Sequence, residues 1–401
     1  MKDNISKLHH CYGCGVCVPA CPKKIIRLDE NSNGFYSPVV FDEANCIECG
    51  ICLDVCGFNH SEPALETTEI TAFAGWSNDK IVRHRCSSGG VGYEIGKVCL
   101  EKGYKCIGVR YDAEKKRAMH FISSTLEEFM QTVGSKYMPS NTLPAFNEIT
   151  RKEKYLVTGA PCQIDTFRRY IRRFKIEDNF ILLDFFCHGV PSLLLWDKYL
   201  AEVEERIGKS TFASWRNKEY GWHDSYSINI DTDNESRDYR HSYDLTTPER
   251  KHSYSSRLLS GDLFFKYFLG NYCLNDCCYN CKYKLTKSSA DIRIGDLWGK
   301  TFASDTQGVT TVLALTDKGR DLLGEISHRA CTLTDYPVAT ATEGQMSGSP
   351  RCPFVRTPIL KALQGNDSLK SIADKWCRLY QIANLPRRIV NKIKRTLFSK
   401  K

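Results

Sequence analysis

The sequence predicts a small α+β unit with an internal duplication, followed by a larger α/β domain. Three observations predict this: a four-cysteine run occurs twice near the start, strand-like and helix-like segments alternate from about residue 70 to 345, and the polar stretch HSEPALETTE separates the two patterns. At 401 residues and 42% hydrophobic content, the chain has apolar material for more than one core. The expected divisions are 1–62, 63–345 and a C-terminal extension at 346–401.

In the first unit, Cys11, Cys14, Cys17 and Cys21 stand in C-x2-C-x2-C-x3-C spacing, and Cys46, Cys49, Cys52 and Cys56 repeat it 35 positions later, as Gly50 repeats Gly15. Each half is the ligand run of bacterial ferredoxins, where three closely spaced thiolates hold one cubane 4Fe-4S cluster and the fourth reaches across to the other. Two 4Fe-4S clusters are therefore expected, one on Cys11, Cys14, Cys17 and Cys56 and one on Cys46, Cys49, Cys52 and Cys21, in a duplicated ferredoxin-like domain. Zinc is the rival, but structural zinc takes its thiolates in two separated pairs. Ile25, Ile26 and Leu28, then Tyr36, Val39 and Val40, supply short strands between the runs.

In the second unit, Val91, Ile95, Val98 and Cys99 recur at helical spacing before Gly103, and strands follow at 106–111 and 155–158. Another strand at 181–186 runs into CHGVPS, a helix is expected over 193–207, and SYSINI at 225–230 opens a strand pair. Cys162 and Cys187 fall just past the carboxyl ends of two of these strands, the edge where open α/β sheets bind ligands. Further on, Cys273, Cys277, Cys278 and Cys281 cluster, the last two as a C-x2-C pair. Spacing alone leaves a third cluster, a zinc site, a redox dithiol and inert core cysteines as alternatives. Ser87, Ser88, Gly89 and Gly90 precede the helix at Val91, as a phosphate-binding loop or as an ordinary cap.

A formal charge of +9 invites a nucleic-acid reading. Each 4Fe-4S cube with four thiolates carries about −2, so the loaded protein is much less basic, and no nucleic-acid motif is present. The first residues lack the apolar core of a signal peptide, and reduced cluster ligands suit the cytoplasm. After Pro386, RRIVNKIKRTLFSKK sets Ile389, Ile393 and Leu397 on one basic helical face, a pattern for peripheral contact with the inner face of the membrane or for packing on the protein itself.

The segments RCSSGG at 85–90, GSKY at 134–137, TGAPCQI at 158–164, CHGVPS at 187–192, WRNKEYGW at 215–222, CCYNCKYK at 277–284 and DIRIGDLWG at 291–299 occur in the order found in one family, continued by GVTTVLALTDKG at 308–319. The chain resembles the beta subunits of coenzyme F420 hydrogenases and dehydrogenases, in the form with an N-terminal two-cluster ferredoxin domain. That resemblance implies FAD in the α/β core and a third 4Fe-4S cluster on Cys162, Cys187, Cys278 and Cys281, with Cys273 and Cys277 as competitors for the later pair. It favours flavin contacts at Ser87, Ser88, Gly89, Gly90, Lys136 and Tyr137, and sets Arg216, Lys218 and Trp222 on the substrate side. His188, beside Cys187, is the candidate catalytic proton donor, with orientation of a cluster sulfur as the alternative role. The implied function is an iron-sulfur flavoprotein oxidoreductase passing electrons between clusters and FAD and on to a small-molecule acceptor, with a redox partner protein, a ferredoxin or an enzyme subunit, at the other end. A non-catalytic electron-transfer subunit and a redox-sensing regulator are the alternatives.

Overall fold

The computed structural model describes residues 3–232 and 252–385; the amphipathic tail expected after Pro386 lies outside the described residues. The two cysteine runs adopt one backbone. Gly13 and Glu48 have φ of +73° and +55°, and Gly15 and Gly50 have +71° and +70°, so the turns between the cysteines repeat in conformation as well as in spacing. A short helix follows in each, Cys17–Ala20 and Ile51–Asp54. Between them β1 (Ile26–Glu30) and β2 (Tyr36–Val40) pair antiparallel, Ile26 opposite Val40.

The main sheet begins with β3 (Thr71–Ser77), β4 (Lys105–Asp112), β5 (Arg117–Ser123), β6 (Ser140–Asn141), β7 (Tyr155–Thr158) and β8 (Phe180–Phe185). The chain then leaves it for a three-stranded sheet of β9 (Ser210–Arg216), β10 (Tyr226–Thr232) and β11 (Tyr254–Arg257). It returns with β12 (Ile292–Asp296), β13 (Thr310–Ala314) and β14 (Cys331–Asp335), in the order β14-β3-β13-β12-β8-β7-β4-β5-β6. The central strands β12, β8, β7 and β4 run parallel. Around them, β13 pairs antiparallel with β12 and β3, β14 with β3, and β5 with β4. The α/β expectation thus holds as a mixed sheet with a parallel centre. From Asp112 to Arg117 the connection is too short for a crossover helix, so β5 must return antiparallel.

Alternation along the parallel strands feeds two cores. On β7, Leu156 packs with Ile95 and Val98 of the helix Val91–Glu101, whereas Tyr155 and Val157 pack with Ile164 and Phe167 of the helix Pro161–Arg173. Val16, Ala20 and Val55 from the cysteine runs join that second core. The polar stretch after His60 is tied to the sheet layer as well. Ala64 N donates to Asp165 Oδ1 (2.6 Å), and Leu65 N donates to Ser289 Oγ (3.1 Å). The helix expected over 193–207 spans Leu193–Ile207 and starts on a Ser192 cap. Ile359, Leu360 and Ile372 of the C-terminal extension pack with its Trp196 and Leu200.

Candidate functional site

Three sets of four cysteines converge. Cys11, Cys14, Cys17 and Cys56 lie within electrostatic reach of one another in all pairings. Cys21, Cys46, Cys49 and Cys52 border one small cavity at the outer end of the N-terminal segment, with Cys49 exposed. Cys162, Cys187, Cys278 and Cys281 form the third set, again mutually close. Its members come from the elements that sequence reasoning named: Cys162 opens the helix after β7, Cys187 follows β8, and these strands are parallel neighbours with Leu156 opposite Ile181. The competitor Cys273 sits inside the apolar core around Trp196. Cys277 lies between the first and third sets, near Cys11 and Cys281.

The first and third sets adjoin, since Cys14 is among the charges that act on Cys162. Burial pushes the Cys11 and Cys14 thiols up to about 12 and Cys187 to about 11, and neighbouring thiolates push in the same direction. Four soft sulfur donors with no carboxylate among them fit iron-sulfur ligation, in which iron supplies the positive charge the thiolates lack. Among the described residues, no group of three His, Cys, Asp or Glu side chains could hold a single metal ion. Zinc requires sulfurs about 2.3 Å from one centre, whereas a cubane spreads its ligands around a larger body. N–H donors approach the sulfurs, from Gly13 N to Cys11 (3.2 Å) and from Val190 N to Cys278 (3.4 Å), the contacts by which a protein tunes a cluster.

The third set opens on a cavity of about 500 Å³ at the carboxyl edge of β4, β7, β8 and β12. Ser87, Ser88, Gly90, Lys136, Tyr137 and His188 all line it together with Cys162 and Cys187. Gly90 has φ +90° and starts the helix Val91–Glu101 without a side-chain cap, which leaves that N-terminus directed at the cavity. Gly89 does not line the cavity in the same way. Its amide donates to Thr310 Oγ1 (2.9 Å), and a Cβ there would strike the Gly75 carbonyl. The Ser88 hydroxyl donates to Val309 O (2.8 Å), and Ser87 Oγ accepts from Ser135 N (3.0 Å). Lys136 Nζ turns to the carbonyls of Gln131, Thr132 and Val133 at 3.0–3.1 Å, and burial lowers its pKa to about 7. The Tyr137 ring stacks near Tyr226 and Phe268. The imidazole of His188 packs edge-on to Phe268, its Nε2 is buried without a hydrogen-bond partner, and burial lowers its pKa.

Arg216, Lys218 and Trp222 differ from expectation. All are buried and none lines this cavity; Arg216 and Lys218 stand behind the Ser87–Ser88 loop and border a smaller cavity of about 110 Å³ that shares Ser135 and Lys136 with it. Arg216 forks onto Asp296 (3.0 and 3.2 Å) and donates to Ser87 O (2.9 Å) and Tyr137 OH (3.2 Å). Lys218 Nζ donates to the carbonyls of Arg83 (2.6 Å), Ser88 (2.5 Å) and Gln307 (2.5 Å). These residues hold the loop from behind. Sequence reasoning assigned no role to Tyr12 and Tyr283, whose rings meet at 5.8 Å and which line the cavity, or to Lys284 beside them. Their signal was proximity in sequence to the cysteines of the first and third sets.

Residues 10–59 match the 4Fe-4S dicluster domain. The chain is also 25% identical, over 224 residues, to an uncharacterized protein of Methanocaldococcus jannaschii; the match takes in 46% of this chain and 58% of that relative's length. A chain of the xenon-derivatised F420-reducing [NiFe] hydrogenase complex from Methanosarcina barkeri superposes with a TM-score of 0.45 at 17% identity, covering 79% of this chain and 93% of that one. Residues 72–147 match the N-terminal model, and residues 152–338 the C-terminal model, of the coenzyme F420 hydrogenase/dehydrogenase beta subunit. With both halves matched in order behind a dicluster segment, the chain belongs to the coenzyme F420 hydrogenase/dehydrogenase beta subunit family.

Proposed function

We propose that the protein is an iron-sulfur flavoprotein oxidoreductase that moves electrons between a redox partner protein and a small organic acceptor. In this reading the two N-terminal sets, in a duplicated ferredoxin-type domain at 1–62, hold one 4Fe-4S cluster each. Cys162, Cys187, Cys278 and Cys281 hold a third within the core at 63–345. The cavity takes FAD, which when bound converts single electrons into a hydride equivalent. The observation that carries the reading is the continuous order of the sets. Cys49 is exposed at one end with Ile47 and Phe41 beside it in sequence, Cys14 adjoins Cys162 in the middle, and Cys162 and Cys187 border the cavity at the other end.

For the flavin, the residues with free capacity are Ser87, Gly90 and the first turn of the helix Val91–Glu101, since the Ser88 hydroxyl and Gly89 amide are engaged elsewhere. Lys136 and Tyr137 complete that wall. His188 faces the cavity with Nε2 unpartnered, and a bound substrate supplies the missing hydrogen bond. The beta-subunit family supports a second reading, an electron-transfer subunit that depends on a partner for turnover.

Among the described residues, no helix is long and apolar enough to cross a membrane. Leu379, Ile382 and Leu385 are exposed where the extension at 346–401 leads into its basic tail, which supports peripheral contact at the cytoplasmic face of a membrane. Anaerobic purification with iron, sulfide and flavin quantification tests the main reading. About 12 iron atoms, from three cubanes, and about one FAD per chain are expected; full iron with no flavin defeats the reductase. Turnover by the isolated chain separates the first reading from the second.

A further inference from the structure

Lys282 and Lys284 flank Tyr283 just after Cys281 and serve different thiol sets. Lys284 Nζ donates to the carbonyls of Cys187 (2.8 Å) and His188 (3.1 Å), on the wall between the third set and the cavity. It acts electrostatically on both Cys187 and Cys278. Lys282 Nζ donates to the carbonyls of Gly57 (2.6 Å) and His60, beside Cys56 of the first set. Their company also differs. Asp165 and Glu62 act on Lys282, whereas no carboxylate among the described residues forms an ion pair with Lys284. The other cation near Cys187 is Arg293, and Asp184 matches it with Nη2 to Oδ2 at 2.6 Å. Lys284 is therefore the uncompensated positive charge at the third set.

We propose that Lys284 raises the reduction potential of the core cluster, and that Lys282 does the same more weakly for the cluster on Cys56. The proposal rests on the cluster reading above. Reduction adds one negative charge to a cubane, so an ammonium fixed on the carbonyl of a ligand residue favours the reduced form, and more strongly in a buried site than in water. The alternation of Lys282 and Lys284 about Tyr283 thereby sets the relative potentials of two adjacent clusters and draws electrons toward the cavity.

The test is a potentiometric titration of the anaerobic holoprotein, followed by EPR, after iron and sulfide have been measured in each sample. Lys284→Met is expected to lower the equilibrium constant for reduction of the core cluster about tenfold, ~59 mV for one electron, and to leave the N-terminal signals in place. Lys284→Arg should stay near wild type, and Lys282→Met should move an N-terminal signal by a smaller factor. An unchanged core potential in iron-replete Lys284→Met, or equal shifts of all signals, overturns the proposal. Lys284→Gln keeps N–H donors for the two carbonyls without the charge. If it and Lys284→Met both lose core iron, Lys284 is a structural brace and the proposal fails. About eight iron atoms in the wild type would instead remove the core cluster itself.

Discussion

Replacing Arg216 with Met should loosen the Ser87–Ser88 loop and unbind flavin while the clusters stay in place. The Arg216 side chain is 1% exposed and that of Asp296 is 15% exposed. The guanidinium makes both carboxylate bonds and also donates to Ser225 Oγ (3.0 Å), Ser87 O (2.9 Å) and Tyr137 OH (3.2 Å). Removing one partner of a buried ion pair costs ~3–5 kcal/mol. Asp296 keeps the Trp222 Nε1 donor at 2.8 Å and some solvent, so the lower end, ~3 kcal/mol, is expected. Asp296→Leu alone should cost a similar amount, because it strands the guanidinium. The double variant should cost about 2 kcal/mol less than the sum of the two, since no buried charge is left over. Urea unfolding of the anaerobic holoprotein, followed by tryptophan fluorescence, measures the cycle, and FAD content measures the loop. Additive costs within ~0.5 kcal/mol, or Arg216→Met with full flavin, would refute the view that this pair holds the flavin loop from behind.

Replacing Cys162 or Cys281 with Ala should remove about four of about 12 iron atoms and leave the N-terminal EPR signals; unchanged iron excludes that ligand. Glu48→Gly should stabilise the protein by ~1 kcal/mol, because Glu48 holds φ +55° where its repeat counterpart is Gly13. Gly15→Ala should instead destabilise, as its Cβ would lie 2.5 Å from Thr142 Oγ1; urea midpoints check both. Burial holds the Lys218 ammonium down at about 8. Between about pH 8 and the ordinary lysine value the unfolded chain therefore binds a proton that the folded chain has lost, and wild-type stability rises with pH relative to Lys218→Met. A difference curve that is flat or falls across that window would contradict the assignment.

The thiol sets were legible to the degree that their ligands are close in sequence. Both N-terminal sets follow from spacing, including the exchange of Cys21 and Cys56, because the turns between ligands are local. The third set was only half legible. The sheet-edge rule found Cys162 and Cys187, and the C-x2-C pair pointed to Cys278 and Cys281. Preference over Cys273 and Cys277, however, depends on where the loop after residue 270 meets the sheet. Asn275 settles that placement by bonding Val190 O through its amide (2.8 Å) and Cys11 O through its side chain (3.2 Å). Arg216 and Lys218 were illegible for the same reason in stronger form. A charged turn is ordinarily solvated, and their partners are distant in sequence: Asp296 lies 80 residues from Arg216 and Ser87 lies 129 away. The parallel centre of the sheet was readable from strand-helix alternation, whereas β13, β3 and β14 on its flank owe their order to long-range pairing.

The junction between the cysteine runs and the core bears on how electrons travel. A carrier on a flexible tether would make few specific contacts with the sheet, yet here hydrogen bonds join the parts at the thiols themselves. Thr142 Oγ1 donates to Cys14 O (2.9 Å), Gly57 N donates to Thr166 Oγ1 (3.2 Å), and Lys282 Nζ donates to Gly57 O (2.6 Å); within the core, Tyr283 OH donates to Asp165 Oδ2 (2.8 Å). Asp165 is fully buried and also accepts from Ala64 N and Ser289 Oγ, so one carboxylate fixes the stretch after the second run, the helix carrying Cys162 and the segment carrying Cys281. Moving the runs away from the core would strip Lys282 of its Gly57 carbonyl and expose Val16, Ala20 and Val55, each a cost of about 1 kcal/mol or more. The first and third sets are therefore held at a fixed separation, so in the proposed electron path the step between them crosses packed protein and does not wait on a diffusing domain.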